Sequence, residues 1–274
     1  MLYFRLLMVL PVCLTLSACG SLALVSAVGT TVNNAAYNAA ERDLNNPQSS
    51  RKEQAFNVAI TNMNLGIEYM RQGAYESALE KLNRSILAKP DFAPSYNVLG
   101  LLYQRLGDPV KAEDYFKKSI KLDPSDSSTY NNYGLFLCNN NRLDEAETVF
   151  LTAANNPFYD KPEIALTNAG ICLFNSKPDA GEKYFKQALN KNPNFTHALI
   201  QMADISYNKS EYELAHQYFD QYKGNANQTP KSLWLGIRIC NELGYKDDVS
   251  SYALLLRNKY PDSKEARSMM EWDF

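Results

Sequence analysis

The sequence predicts an all-α chain: a superhelical solenoid of about six helix-turn-helix repeats closed by a C-terminal capping helix. Three observations carry that prediction. The first is self-similarity at a period of 34 residues: "NMNLGIEYMRQGAYESALEKLNRSILAKP" (62–90) aligns with "YNVLGLLYQRLGDPVKAEDYFKKSIKLDP" (96–124). Gly66 then falls under Gly100, Ala78 under Ala112 and Pro90 under Pro124. The second is composition. Ala, Leu, Tyr and Phe are plentiful, and β-branched runs are almost absent after residue 50. The third is the division of labour inside each period, where small residues alternate with large ones at helical spacing and a proline ends the unit.

Residues 1–18 read as a lipoprotein signal peptide. Leu6 to Leu16 are almost wholly apolar, a stretch too short for a helix that must cross a bilayer with about 20 residues. The run ends in "LSACGS", which resembles a bacterial lipobox with Cys19 as the residue joined to lipid. An ordinary secretory signal with a chance cysteine is the alternative. Gly20, in place of an aspartate, resembles an outer-membrane sorting address. Three acyl chains would anchor far more firmly than the single chain that holds only marginally. Residues 19–58 then form a lipidated start and a partly helical tether, rich in Ala, Asn and Thr up to Pro47.

Six repeats follow over 59–262, at 59–92, 93–126, 127–162, 163–195, 196–229 and 230–262. The intervals are those of tetratricopeptide repeats. Gly66, Gly100 and Gly134 let helix A approach helix B, and Ala78, Ala112 and Ala146 do so from the other side. Tyr103, Tyr115 and Phe116 fill the remaining space. Repeat four has Gly170 at the small position and a turn one residue short, so Gly181 stands for the usual alanine. Repeat five has Ala203, Ala215 and Phe219. Repeat six is read with Gly236 at the small position, and with Val249 and Ala253 for the alanine and the large residue. One repeat cannot bury its own apolar face, but a stack can. "NNPFYDKPE" (155–163) and "GNANQTPKS" (224–232) add residues at two joints, as surface loops or as hinges. Residues 263–274 form a short cap.

Chemistry is not expected. The 28 basic and 30 acidic residues nearly balance, which argues against a nucleic-acid partner. Gly-rich phosphate loops are missing and the glycines sit at packing intervals, so no cofactor or small-molecule substrate is predicted. The two histidines, His197 and His216, read as solvated or capping residues. With neither a Cys-x-x-Cys pair nor a Cys–His cluster in the sequence, no metal is predicted. Cys138 and Cys172 fall near the middle of helix A in repeats three and four, near enough for a disulfide; two buried thiols are the alternative. Cys240 reads as a packed free thiol.

The predicted working surface is the groove lined by the A helices. Met63, Ile67 and Met70 face it in repeat one, unless they pack under residues 33–57. Asn97, Leu101 and Gln104 face it in repeat two, and Asn131 and Leu135 in repeat three. Asn97 and Asn131 are placed to clamp the backbone of an extended peptide. Basic residues that would grip a terminal carboxylate are lacking at these positions.

The lipobox, the tether, the early repeats and "NAGICLFNSKPDAGEKYFKQALNKNP" together resemble the PilF/PilW family of type IV pilus biogenesis lipoproteins. The resemblance spans the whole chain and implies a pilotin. Cys19 would anchor it by lipid to the periplasmic face of the outer membrane. The groove of repeats one to three would hold the type IV pilus secretin subunit and promote its multimer assembly. Cys138 and Cys172 match the family's tendency to link the third and fourth repeats. A repeat lipoprotein that scaffolds peptidoglycan hydrolases or outer-membrane protein assembly is the alternative.

Overall fold

The computed structural model describes residues 47–272, so the signal peptide 1–18, Cys19 and the tether before Pro47 lie outside the described residues. Among the described residues there are thirteen α-helices and no strand, and the repeats occupy one compact unit, Val58–Phe274. Repeat one pairs α1 (Pro47–Arg71) with α2 (Tyr75–Ala88), and repeat two pairs α3 (Ala93–Arg105) with α4 (Pro109–Leu122). Repeats three and four are α5 (Ser127–Asn139) with α6 (Leu143–Ala154) and α7 (Pro162–Phe174) with α8 (Pro178–Lys191). Repeats five and six are α9 (Thr196–Asn208) with α10 (Tyr212–Asn225) and α11 (Pro230–Glu242) with α12 (Lys246–Lys259). The cap is α13 (Lys264–Met270).

A tight turn joins helix A to helix B, and the sequence marks it. Gly73, Gly107 and Gly244 hold φ near +75°, and Asn141 and Ser210 take the same left-handed conformation in repeats three and five. Repeat four has no such residue, because its turn is a residue shorter. Accordingly Gly170 faces Phe185, fifteen positions on, whereas Gly100 and Gly134 face Phe116 and Phe150, sixteen positions on.

These contacts are the core. A Cβ placed on Gly100 would lie 2.7 Å from the Phe116 ring, and one on Gly181 would lie 2.8 Å from the Phe174 backbone. Phe116, Phe150, Phe185 and Phe219 are fully buried, each contributing about 1.5–3 kcal/mol by its removal from water. The first two joints between repeats add buried hydroxyls. Ser85 Oγ donates to Ala59 O at 2.7 Å and accepts from Ser95 Oγ, and Ser119 Oγ donates to Ala93 O at 2.8 Å beside Thr129. Pairing spares these groups the cost of an unsatisfied buried hydroxyl. At the next joint the matching residues are alanines, Ala153 and Ala165, both fully buried.

Repeat six corrects the sequence register. Gly236 does not face its own helix B; a Cβ there would lie 2.4 Å from Phe219 of the preceding repeat. The capping box between Thr229 and Ser232 starts α11 at Pro230, which puts fully buried Ile237 at the small position. Large and small have therefore exchanged places, with Ile237 on helix A and Ala253 on helix B. The cap α13 is amphipathic: Ala266 and Met269 are buried, and Trp272 stands edge-on to Trp234 with ring centres 5.0 Å apart.

Candidate protein-binding groove

One register position runs an aliphatic stripe along the A helices. The residue after the packing glycine is Ile67 in repeat one, Leu101 in two, Leu135 in three and Ile171 in four. Ile67 and Leu101 are half-buried, while Leu135 and Ile171 are 36% and 49% exposed. In repeat five the position becomes Asp204, and the stripe ends. The first three were legible in the sequence. Ile171 was missed, although continuing the register past Gly170 finds it. Met63 and Gln104 are half-buried beside the stripe.

Two expectations change. Met70 is 6% exposed and belongs to the core with Leu82 and Leu99, so it offers no surface to a ligand. The asparagines do not stand free as clamps, because they stitch neighbouring A helices together. Asn132 donates Nδ2 to Asn97 Oδ1 at 3.1 Å, Asn168 donates to Asn131 Oδ1 at 2.9 Å, and Asn131 is itself 8% exposed. The stitch joins neighbouring A helices and leaves the aliphatic stripe as a partly exposed apolar row beside it. Cys138 and Cys172 are joined by a disulfide across α5 and α7, with Cα atoms 5.8 Å apart. Thr167, one turn before Ile171, keeps a buried hydroxyl with no partner among the described residues.

The B helices carry a second ladder, electrostatic in nature. Glu113 accepts from Arg142 Nη1 at 2.7 Å and from Tyr133 Oη at 2.8 Å, both in the following repeat. The Arg142 guanidinium holds the Glu113 carboxyl down at about 2, overcoming the upward push of burial. Glu147 receives Tyr184 and Lys177 in the same way, and burial together with that bond raises the Tyr184 phenol to about 12. Glu182 receives Lys209 and is likewise lowered, by Lys186 first.

A better-defined cavity lies between repeats five and six, which sequence reasoning did not single out. It has a volume of about 570 Å³ and is lined by His197, Ile200, Asp204, Lys231, Trp234 and Arg238 among others. Arg238 lies over the Tyr207 ring at 4.6 Å and 3.6 Å from Asp204, with its Nε buried and unbonded. His197 is an exposed residue at the cavity's lining, in keeping with its reading as solvated. His216 changes its reading: it is half-buried, edge-on to Tyr245 and beside Asp220. Cys240 is a buried free thiol, its proton held to about 11 chiefly by burial.

A stack of helical hairpins with an aliphatic stripe along its A helices defines a tetratricopeptide repeat protein. The tetratricopeptide repeat family models match residues 93–126 and 115–148. The type IV pilus assembly protein PilF of Pseudomonas aeruginosa is 31% identical over 202 residues, covering 73% of this chain and 80% of PilF. The solved structure of P. aeruginosa PilF superposes with a TM-score of 0.69 at 28% identity, over 80% of this chain and 98% of that one. PilW, described as a widely conserved type IV pilus biogenesis factor, gives 0.66 at 28% identity over 78% and 98%. This chain belongs to the PilF/PilW family. It is a non-enzymatic protein-interaction protein of type IV pilus biogenesis.

Proposed function

We propose that this protein is a pilotin: a lipid-anchored solenoid on the periplasmic face of the outer membrane that binds the pilus secretin subunit and promotes its multimer assembly. The observation that carries the reading is the aliphatic stripe Ile67, Leu101, Leu135 and Ile171, in a chain that belongs to a pilus-assembly family. A row of partly exposed aliphatic side chains along stitched A helices suits an extended apolar segment of a partner. The mechanism is mechanical. Acyl chains on Cys19 restrict the solenoid to the membrane surface, which raises its effective concentration where subunits assemble.

The test uses two variants in the native host. Cys19→Ala separates anchoring from binding: secretin multimers in the outer membrane fall while the released protein still captures secretin subunits. Leu135→Asp combined with Ile171→Asp keeps the fold, since both sites are exposed, and lowers capture at least tenfold. Normal multimers and pili with Cys19→Ala contradict the tether. Undiminished capture by the double aspartate variant contradicts the groove.

A further inference from the structure

Repeats two, three and four place Glu113, Glu147 and Glu182 at one register position of helix B, and each is clasped by a cationic side chain of the next repeat. Repeat five places His216 there. Among the described residues, no lysine or arginine of repeat six pairs with it. Lys223, the nearest candidate in its own helix, is held by Asp220 at 2.9 Å and Tyr252 Oη at 2.8 Å. Across the joint, His216 instead meets Cys240 of α11 and Asp248 in the first turn of α12, and one ligand atom from each of the three lies within 4.8 Å of the others. Cys240 is buried and outside any disulfide. The joint thus has anionic and neutral donors from three helices facing one another; its lysine, Lys223, reaches across to Tyr252 and does not pair with His216.

We infer that His216, Cys240 and Asp248 bind a divalent transition-metal ion of zinc type, which bridges repeats five and six at the register position where repeats two to four hold a glutamate clasped by a lysine or arginine. The donor set selects the class of ion. A thiolate, an imidazole and a carboxylate suit zinc and its neighbours, whereas magnesium and calcium take oxygen shells. Bond lengths of about 2.0–2.3 Å require the ligand atoms to close by about 1 Å, a movement within reach of side-chain rotation at Asp248. Asp220 Oδ2, 3.4 Å from His216 Nδ1, orients the imidazole from behind or takes the fourth position. On binding, the Cys240 thiol releases its proton to solvent as the sulfur–metal bond forms. The consequence is mechanical: the ion fastens the joint that, among the described residues, is the one in which helix B meets a glycine of the next repeat.

Cobalt(II) titrated into the full-length, chelator-treated protein tests the assignment. One equivalent binds, with the near-ultraviolet thiolate-to-cobalt charge-transfer band, and zinc displaces it. Cys240→Ser abolishes the band, and Asp248→Ala weakens cobalt binding at least tenfold while leaving the metal-free thermal transition in place. The inference is overturned if the wild-type protein shows no such band, if the band survives in Cys240→Ser, or if Asp248→Ala binds as tightly as wild type.

Discussion

Two joints of the solenoid carry extra residues, and they solve the same problem differently. Between repeats three and four, residues 155–161 form a loop that Asn156 pins by donating to Ser125 O and Ser127 Oγ, both at 2.9 Å. The loop allows α6 and α7 to meet along fully buried alanines, Ala153, Ala165 and Ala169, and a disulfide ties the A helices behind them. Between repeats five and six, Thr229 and Ser232 cap α11, while Tyr222 and Tyr260 donate to Asn227 O and Gln228 O. That loop is also fixed rather than hinged. Its helices, however, meet through Gly236 against Phe219, with a cavity on one side and an unpaired thiol on the other. The lesson is that an insertion does not loosen a repeat stack by itself. What decides is whether the side chains brought to the joint close it covalently and sterically, or leave it open to a further ligand.

The largest expected effect comes from the covalent side of this contrast. Cys138→Ser with Cys172→Ser lowers stability by about 2–4 kcal/mol in urea unfolding, as expected for a bridge that closes a loop of this length. Hydrogen exchange then speeds in α5 to α8 and stays slow in α10 to α12. Uniform loosening along the chain would show that the joints are not independent.

Steric closure comes next. Gly236→Ala costs about 1–3 kcal/mol, because the added methyl would collide with the fully buried Phe219 ring. Gly224→Ala serves as the control: nothing lies near its added methyl, and it is neutral or slightly stabilising.

Charge closure is smaller and depends on pH. The folded carboxyl of Glu113 sits at about 2 against an ordinary 4.5, so its stabilisation is complete above about pH 4.5 and fades as the pH falls toward 2. With its side chain about one-fifth exposed, the contribution is about 1–2 kcal/mol after screening. Glu113→Gln should lose that amount at pH 7 and converge with the wild type near pH 2. A constant gap across the window would assign the loss to packing.

The smallest effect lies in a turn of repeat five. Ser210 has φ 61°, so Ser210→Gly relieves left-handed strain and, after glycine's greater chain entropy in the unfolded state, stabilises by less than about 1 kcal/mol.

Much of this was readable before any coordinates. The 34-residue period, the short turn of repeat four and the stripe residues Ile67, Leu101 and Leu135 follow from residue size at fixed spacing. The register of repeat six did not follow, because Gly236 resembled the packing glycines; the Thr229–Ser232 box was the available signal. The pairing of the asparagines did not follow, because Asn132 and Asn168 become partners of Asn97 and Asn131 only when helices stack. Met70 lies one turn past Gly66 and faces inward, a direction that spacing along one helix leaves undetermined. His216 lies a repeat before Cys240 and Asp248, so only the stacking of repeats five and six brings the three together.

The most direct test of the proposed function is a photoreactive residue placed at Leu101 or at Trp234 in cells that assemble pili. The proposal requires the secretin subunit to be captured at Leu101, on the aliphatic stripe, with a markedly weaker product at Trp234 in the C-terminal cavity. Capture of secretin at Trp234 alone, or of peptidoglycan enzymes in its place at Leu101, would contradict it.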